Sequence, residues 1–277
     1  MRKIIFFTLL LITTLSYAQK KEKVKGSKIV TTEIKKIEPF EALEVLDNVD
    51  VFIVKGTECG IEIEADDNLH DAIDIVLNGS TLKLSMLKNA FGYKKLSVRI
   101  TYTDTFKSII TRNESSVTAL ADIEVENITL KSYDESKLFI NSKATNFTLV
   151  MDDKSKIELN SKADQSNITL SKNAKLKALI SSKKLTFDMY QRTDAIVEGD
   201  VDDLKIRLDN NAVFDGKKLT SKNVEILCES YTKASIVADR KIEIEASGKS
   251  EIELYGEQKI NLKRFVDSAV LKKKPAK

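Results

Sequence analysis

The sequence predicts an all-β protein built as a parallel β-helix, in which each turn is one repeat. Apolar and polar residues alternate in many short runs, and no stretch has a sustained helical period. From about Phe106 to Leu262 the runs recur roughly every twenty residues. The stretch Ile242–Gly256 shows the unit most clearly, because two alternating strands flank the small turn Ser247-Gly248-Lys249-Ser250. Since no helix separates the strands, each unit is expected to stack on the next as one coil.

Residues 1–18 have the features of a secretory signal peptide. Arg2 and Lys3 supply the positive start, Ile4–Ile12 is almost wholly apolar, and Ser16-Tyr17-Ala18 predicts cleavage before Gln19. The apolar run is shorter than the roughly 20 residues that cross a bilayer, so no transmembrane segment is expected. The sequence therefore predicts export to the periplasm, the outer-membrane surface or the extracellular medium.

The charge of the chain argues against a nucleic-acid partner. Removing Arg2 and Lys3 from the 45 basic residues leaves 43, against 42 acidic residues. A DNA- or RNA-binding domain usually has a clear excess of basic residues on one face, and this nearly neutral chain does not show such an excess. The positive charge is concentrated instead in a polar N-terminal lead, residues 19–36, and in a basic tail, residues 272–277. Such terminal runs are usually solvated.

Residues 37–104 are predicted to form irregular first rungs. Ile61–Ala65 alternates strictly and predicts a half-buried strand. Asp66–Ala72 predicts one helical turn capped by an Asp or Asn side chain. Asn78-Gly79 between two apolar runs predicts a hairpin or tight corner. This segment and the basic tail are placed to cap the two ends of the solenoid, whose exposed rungs would otherwise invite stray pairing.

Residues 105–271 are predicted to form the regular repeats. The first strand of each unit has two apolar residues separated by one polar residue. The second of these recurs in steps of 17 to 21 residues, beginning with Leu130, Leu149, Leu170 and Phe187. A further set of inward residues is predicted after each turn, namely Val117, Leu138, Ile157, Leu176, Ile196, Val213, Ile236, Ile252 and Val270. A propeller blade would need about twice this period, and the Leu/Asn signature of a leucine-rich repeat is missing.

The sequence offers little reactive chemistry. His70 is the only histidine, which leaves no Ser-His-Asp arrangement elsewhere and few ways to bind zinc. Cys59 and Cys228 are expected to be buried small residues, although an oxidising compartment would permit a bridge. No phosphate-binding loop, dinucleotide fingerprint or calcium loop occurs. We therefore predict no catalytic, metal-binding or cofactor-binding residues.

The chain resembles the GIN domain, the auto-transporter adhesin head domain of secreted Bacteroidetes proteins. The resemblance lies in the signal peptide, in Phe40–Val45 and Val49–Ile53, in the Asn78-Gly79 corner and in Ser247–Gly256. It covers residues 37–271 and implies a single-stranded right-handed β-helix with an adhesive role. The biochemical activity of the family is undefined, so no functional residue is carried over. In this chain Asn or Asp replaces glycine at most turns. Both residues can adopt the left-handed backbone conformation of such turns at modest cost.

Candidate functional residues lie where the repeat is irregular. Tyr190 and Arg192 form an unusual turn, and Tyr231 lies in another, so these three are the candidates for binding a sugar or a protein. Parallel β-helices also include polysaccharide lyases and hydrolases, which need paired carboxylates. The carboxylates that could pair are Asp152, Asp153, Asp202, Asp203, and Glu114 with Asp134, although turn carboxylates are usually solvated.

The function predicted from the sequence is that of a secreted, non-enzymatic binding module of the cell envelope. Its partner would be an envelope glycan or a surface protein, and its oligomeric state is left open. Two alternatives remain at this point: a carbohydrate-active β-helix enzyme, and a structural rod that assembles end to end. A groove with convergent carboxylates would favour the enzyme, and an uncapped end rung would favour assembly.

Overall fold

The computed structural model describes residues 21–275 and is almost entirely β, with 68% strand and 2% helix. The predicted signal peptide, residues 1–18, lies outside the described residues. A single 3-10 helix in the described part spans Asp67–Ala72. The strands are β1 (Lys23–Lys25), β2 (Val30–Lys36), β3 (Ala42–Val45), β4 (Asp50–Lys55), β5 (Gly60–Asp66), β6 (Ile73–Asn78), β7 (Thr81–Met86), β8 (Asn89–Phe91), β9 (Leu96–Tyr102), β10 (Ser108–Thr111), β11 (Ser116–Ala119), β12 (Ile123–Ser132), β13 (Lys137–Met151), β14 (Lys156–Leu170), β15 (Lys175–Met189), β16 (Asp194–Leu208), β17 (Val213–Cys228), β18 (Lys233–Ala246), β19 (Glu251–Tyr255), β20 (Lys259–Phe265) and β21 (Val270–Lys274).

Parallel stacking of long strands forms the body of the molecule. One turn consists of a 15-residue strand such as β13 and a four-residue corner, 152–155. Strand β13 pairs in parallel with β14 along its whole length, with Lys137 opposite Lys156 and Met151 opposite Leu170. The same register continues into β15 and β16. The result is a parallel β-solenoid of about nine turns of about 19 residues, as the sequence predicts.

The period is more regular than the sequence analysis suggested. Leu149 pairs with Ile168, and Ile168 pairs with Phe187, so these turns are each 19 residues long. The predicted alignment through Leu170 was wrong, because Leu170 lies opposite Met151 and Met189 in the next inward column. The turn before β13 is longer, since Ser116 pairs with Lys137 and the offset there is 21 residues. The register shifts again at β17 against both neighbouring strands.

Three residues predicted to face inward lie on the surface. Ile196, Val213 and Val270 are 48%, 38% and 39% exposed. The inward column that contains Leu176 continues instead through Ala195, Phe214, Ala234, Ile252 and Leu271. Each of these three residues has an apolar neighbour in the sequence that takes the inward position, namely Ala195, Phe214 and Leu271. The other predicted members of the set, including Ile236, are buried.

The corners depend on left-handed backbone at residues other than glycine. Six consecutive corners, from Asn113-Glu114 to Asn210-Asn211, have two residues of positive φ. These include Asn and Asp, as expected, but also Glu, Lys, Gln and Arg. The last three corners have one such residue each, Ser230, Gly248 and Asp267. The fourth corner position holds a small residue in every turn, and Ser115, Ser136 and Ser250 are fully buried there.

The N-terminal end of the solenoid is closed by antiparallel strands. The turn made of β3 and β4 is stacked between β10 and β11 on one side and β7 and β9 on the other. Strands β5 and β9, β2 and β5, and β6 and β7 then pair antiparallel. The 3-10 helix adds Leu69 and Ala72 to the core. The irregular segment therefore forms this end, and β6 and β7 form the expected hairpin.

Asp66 does not cap the helix with its side chain, contrary to the sequence prediction. Its fully buried carboxylate accepts hydrogen bonds from the backbone N–H groups of Lys28, Lys94 and Lys95 at 2.8 to 3.2 Å. The carboxylate thus joins the N-terminal lead to the loop before β9. Burial alone would raise the pKa of Asp66, but these backbone hydrogen bonds lower it below its ordinary value.

The C-terminal end has no comparable closure within residues 21–275. Strands β20 and β21 pair with β18 and β19 and have no strand on their other side. Lys272–Lys274 lie in β21, so the last strand extends beyond the predicted domain boundary at residue 271. The basic tail therefore continues the final turn and does not cover it.

Cys59 and Cys228 are both buried and unpaired. Burial raises the pKa of Cys228 to about 12, so the thiol is not a nucleophile at neutral pH. The expectation of two buried small residues is confirmed. Within the described part of the chain, no helix has the length and apolar character needed to cross a membrane.

Candidate binding surfaces

Tyr190 occupies the first position of the corner after β15. Its ring is half-buried, and the guanidinium of Arg207, from the next turn, lies 5.7 Å from the ring centroid. Tyr133 occupies the same corner position three turns earlier, with the Arg112 guanidinium 4.3 Å from its ring centroid. Each of these rings therefore has an arginine against it.

The three predicted binding residues share one edge of the solenoid but do not form one cluster. Arg192 lies two residues after Tyr190, at an exposed corner position with φ of 61°. Tyr231 lies two turns further along, in the corner column of Arg192, and is 58% exposed. Asp152 and Ser171 separate Tyr133 from Tyr190 in their shared column. A continuous aromatic strip along this edge is therefore not formed.

A groove of about 460 Å³ adjoins Tyr190 and is lined mostly by charged residues. Burial raises the pKa of Asp188 above its ordinary value, although Arg207 and Lys205 oppose the shift. Burial and the Asp188 charge likewise raise the pKa of Tyr190. Further along the groove, the carboxylate of Glu243 pairs with Lys263, which lowers the pKa of Glu243. We call this the Tyr190 groove.

A second groove was not identified from the sequence. Its volume is about 590 Å³, and it runs from the end of β11 across β13, β14, β15 and β16. Phe139, Leu179 and Ile196 line it and are 38%, 50% and 48% exposed. We call it the apolar groove, defined by Phe139, Asn141, Glu158, Asn160, Leu179 and Ile196. Outward apolar residues in one patch are unusual in this solenoid, where most outward columns are charged or polar.

Two outward columns supply the walls of the apolar groove. In one, Phe139, Glu158, Lys177 and Ile196 stand in successive turns. In the other, Asn141 and Asn160 are followed by Leu179 and Glu198. Successive turns lie about 4.8 Å apart, so Phe139 and Ile196 are separated by roughly 14 Å. The groove therefore offers apolar contacts at both ends and amide and charged groups between them.

The carboxylates considered for catalysis have basic or amide partners. The Asp152 carboxylate accepts hydrogen bonds from Lys172 and Ser171 at 2.9 Å. Desolvation would raise its pKa, but these bonds outweigh that effect and lower it. Asp202 pairs with Lys222 at 2.5 Å, and Asp203 accepts a hydrogen bond from Asn223 at 2.8 Å.

The corner carboxylates Asp153, Glu114 and Asp134 have left-handed backbone on the solvent-exposed edge. Asp153 also lies 3.6 Å from Lys172. The corner geometry, which favours Asp and Asn, explains the position of Asp153 and Asp134. No group of three or more metal-ligating side chains was found among residues 21–275.

The fold defines a class of protein, a β-solenoid whose sides carry grooves such as the Tyr190 groove and the apolar groove. Residues 39–179 and 167–257 match the profile of a family described as "Putative auto-transporter adhesin, head GIN domain". The chain belongs to this family, as the resemblance in its sequence indicated. No curated protein matched the chain.

Solved structures share this fold at low sequence identity. A structure from Parabacteroides merdae, described as "a putative adhesin", has a TM-score of 0.64 and 14% identity, with 92% of this chain and 98% of that chain covered. A "putative adhesin" from Parabacteroides distasonis has a TM-score of 0.63 and 14% identity, covering 91% and 100%. A "Putative lipid binding protein" from the same species has a TM-score of 0.58 and 14% identity, covering 91% and 97%. These similarities establish the fold alone.

Proposed function

We propose that this protein is an exported, non-enzymatic binding protein of the cell envelope that holds a surface protein in its apolar groove. The observation that carries the proposal is a set of exposed apolar side chains in one groove, with Phe139 at one end and Leu179 and Ile196 at the other. Exposed apolar side chains that line a groove on an otherwise charged surface are typical of interaction sites. The adhesin family to which the chain belongs supports a binding role.

A protein partner fits the apolar groove better than a glycan. Leu179 and Ile196 offer aliphatic surface, which an apolar side chain of a partner would desolvate. Sugar-binding sites rely on aromatic platforms, whereas this chain has no Trp and Phe139 is the only ring that lines the groove. The amides of Asn141 and Asn160 can donate to and accept from the main chain of an extended partner segment. Apolar anchors surrounded by such polar groups are the usual composition of a protein interface.

The charge pairing of the candidate carboxylates favours binding over catalysis. Glycoside hydrolysis needs one carboxyl group with a raised pKa beside a second, ionised one. Asp152 has a lowered pKa and a lysine partner, and Asp202 also has a lysine partner. Asp188 has a raised pKa and Glu243, which lines the same groove, a lowered one, so this pair is the one that a hydrolysis assay has to test.

Binding can be tested with the purified mature chain, residues 19–277, on an array of envelope proteins and glycans. We expect binding to an envelope protein, and loss of that binding in the double variant Leu179→Asp/Ile196→Asp. Val213→Asp is the matched control, because Val213 is 38% exposed and does not line the groove. Equal binding by both variants would refute the groove, and binding only to glycans would refute the protein partner.

Two further measurements cover the remaining parts of the proposal. N-terminal sequencing of the exported protein is expected to begin at Gln19, and an uncleaved protein confined to the cytoplasm would contradict export. Incubation with envelope polysaccharides is expected to release no new chain ends. Release that is lost in Asp188→Asn would favour the carbohydrate-active enzyme instead.

A further inference from the structure

The C-terminal turn presents an open sheet edge. Strand β20 spans seven residues and pairs only with β18, and β21 spans five residues and pairs only with β19. In the part of the chain that the structure describes, no strand lies beyond them. Edge strands carry a row of unpaired backbone N–H and C=O groups, which can pair with another extended chain.

The side chains of this edge leave the end of the core uncovered. Ile260 and Leu262 continue the inward columns of Ile242 and Ile244. Ile242 and Ile244 are fully buried, whereas Ile260 and Leu262 are 39% and 50% exposed. One more strand with inward apolar residues would bury Ile260 and Leu262 in the same way that β20 buries the preceding turn.

The basic residues at the C-terminal end favour an added strand with acidic side chains. Residues 257–275 include two acidic residues, Glu257 and Asp267, and six basic ones, Lys259, Lys263, Arg264, Lys272, Lys273 and Lys274. Three of these lysines pair with acidic residues of the preceding turn: Lys263 with Glu243, Lys272 with Glu251, and Lys274 with Glu253. In two outward columns a basic residue of the last turn follows an acidic one, since Arg264 is opposite Glu245 and Lys272 is opposite Glu253. An added strand would continue this order with acidic residues.

A second copy of the chain does not fit this end equally well. Two C-terminal ends placed edge to edge would bring the six basic residues of one copy close to those of the other. Like charges opposite one another across a sheet are destabilising. The N-terminal edge strand β2 has two basic residues, Lys35 and Lys36, against one acidic residue, Glu33, so it is not an acidic partner edge.

We propose that the end formed by β20 and β21 binds an extended segment of a partner protein in which acidic and apolar residues alternate. The segment adds one strand to the solenoid by main-chain hydrogen bonds to the open edge. Its apolar side chains cover Ile260 and Leu262, and its acidic side chains lie beside Lys259 and Lys263. This surface is separate from the apolar groove and does not depend on it.

The test uses the purified mature chain and a fluorescent peptide, Ile-Glu-Ile-Glu-Ala-Ser, which copies Ile242–Ser247. We expect saturable binding by fluorescence anisotropy, at least about tenfold tighter than that of the same peptide with lysine at both glutamate positions. Leu262→Asp is expected to weaken binding about tenfold or more. Ile34→Asp is the control, because Ile34 is exposed on β2 at the opposite end. A peptide N-methylated at alternate residues is expected not to bind, since it lacks the donors for a sheet edge.

Other outcomes would overturn the proposal. Equal affinity for the acidic and basic peptides, or no binding of the acidic peptide, would refute it. A dimer in light scattering that Leu262→Asp dissociates, without peptide binding, would assign the end to a second copy. Binding to vesicles of anionic phospholipid, without peptide binding, would assign it to a lipid surface. Circular dichroism of each variant establishes that the solenoid is folded.

Discussion

The buried carboxylate of Asp66 accepts a 2.8 Å hydrogen bond from the backbone N–H of Lys28. This bond connects the N-terminal lead to the antiparallel end of the solenoid, where β5 meets the 3-10 helix. Two further N–H donors, those of Lys94 and Lys95, converge on the same carboxylate. A single side chain thus joins three separate segments of the chain.

We predict that Asp66→Asn lowers the thermal midpoint at pH 7, because an amide cannot accept hydrogen bonds with both of its polar atoms. The folded protein holds the pKa of Asp66 below its unfolded value, so this carboxylate stabilises the fold above about pH 4. That contribution is lost as the pH falls through the folded pKa. The difference between wild type and variant should therefore shrink on going from pH 7 to pH 3.

Thermal unfolding at pH 7 and pH 3 measures this difference. Asp67→Asn is the control, since Asp67 is exposed and its carboxylate bonds only to Ser27 among the described hydrogen bonds. A gap between wild type and Asp66→Asn that is equal at pH 7 and pH 3 would contradict the assigned role.

Gly248 is the corner residue that most needs to be glycine. Its φ is 68°, and a Cβ atom there would lie 2.9 Å from backbone atoms of Ser230. We predict that Gly248→Ala costs about 1 to 3 kcal/mol, the usual range for a strained left-handed residue. Asn210→Gly in an equivalent corner is expected to change stability by less than about 1 kcal/mol, because Gly and Asn both tolerate this conformation. Chemical denaturation of both variants tests the prediction, and equal losses would contradict it.

The sequence predicted the solenoid because its period and alternation are local properties. It predicted inward residues poorly where three apolar residues follow one another. In Ala195-Ile196-Val197 the alternation is equally consistent with Ile196 facing inward or outward. In the structure Ala195 stacks on Leu176 inside the core, and Ile196 lies outside. A shift of one residue exchanges the two faces of a strand.

The apolar groove could not be predicted for the same reason. Leu179 lies in the run Ala178-Leu179-Ile180, in which the apolar pattern does not indicate the outward residue. Phe139 lies between Leu138 and Ile140, which are also apolar, so the pattern there does not indicate the outward residue either. The candidate Tyr190 was recognisable because an aromatic residue in a turn is unusual, but its arginine partner comes from a different turn. Only the three-dimensional register shows that Arg207 lies over this ring.

Two phenylalanines offer a matched test of inward and outward positions. Phe187 is fully buried and packs edge-on against Phe214, with ring centroids 5.2 Å apart. We predict that Phe187→Ala costs about 3 to 5 kcal/mol of stability, as is usual for a large core truncation. Phe139→Ala, at a residue that is 38% exposed, should cost less than about 1 kcal/mol. Similar losses for the two variants in urea unfolding would show that the assigned register is wrong.

Thiol chemistry tests the burial of the two cysteines. Because burial raises the pKa of Cys228 to about 12 and Cys59 is also buried, neither thiol should react with a disulfide reagent at pH 8 in the folded protein. In denaturant both of the chain's two cysteines should react. Absence of reaction in denaturant without a reductant would indicate a disulfide, and rapid reaction of the folded protein would contradict burial.

Photo-cross-linking from the apolar groove tests the central claim most directly. A photoreactive phenylalanine analogue replaces Phe139 in one variant and Val213 in a control, and the cells that produce each protein are irradiated. We predict a discrete cross-linked envelope protein from position 139 that is missing from position 213. Cross-links from both positions alike, or only from position 213, would contradict the assignment of the groove as the binding surface.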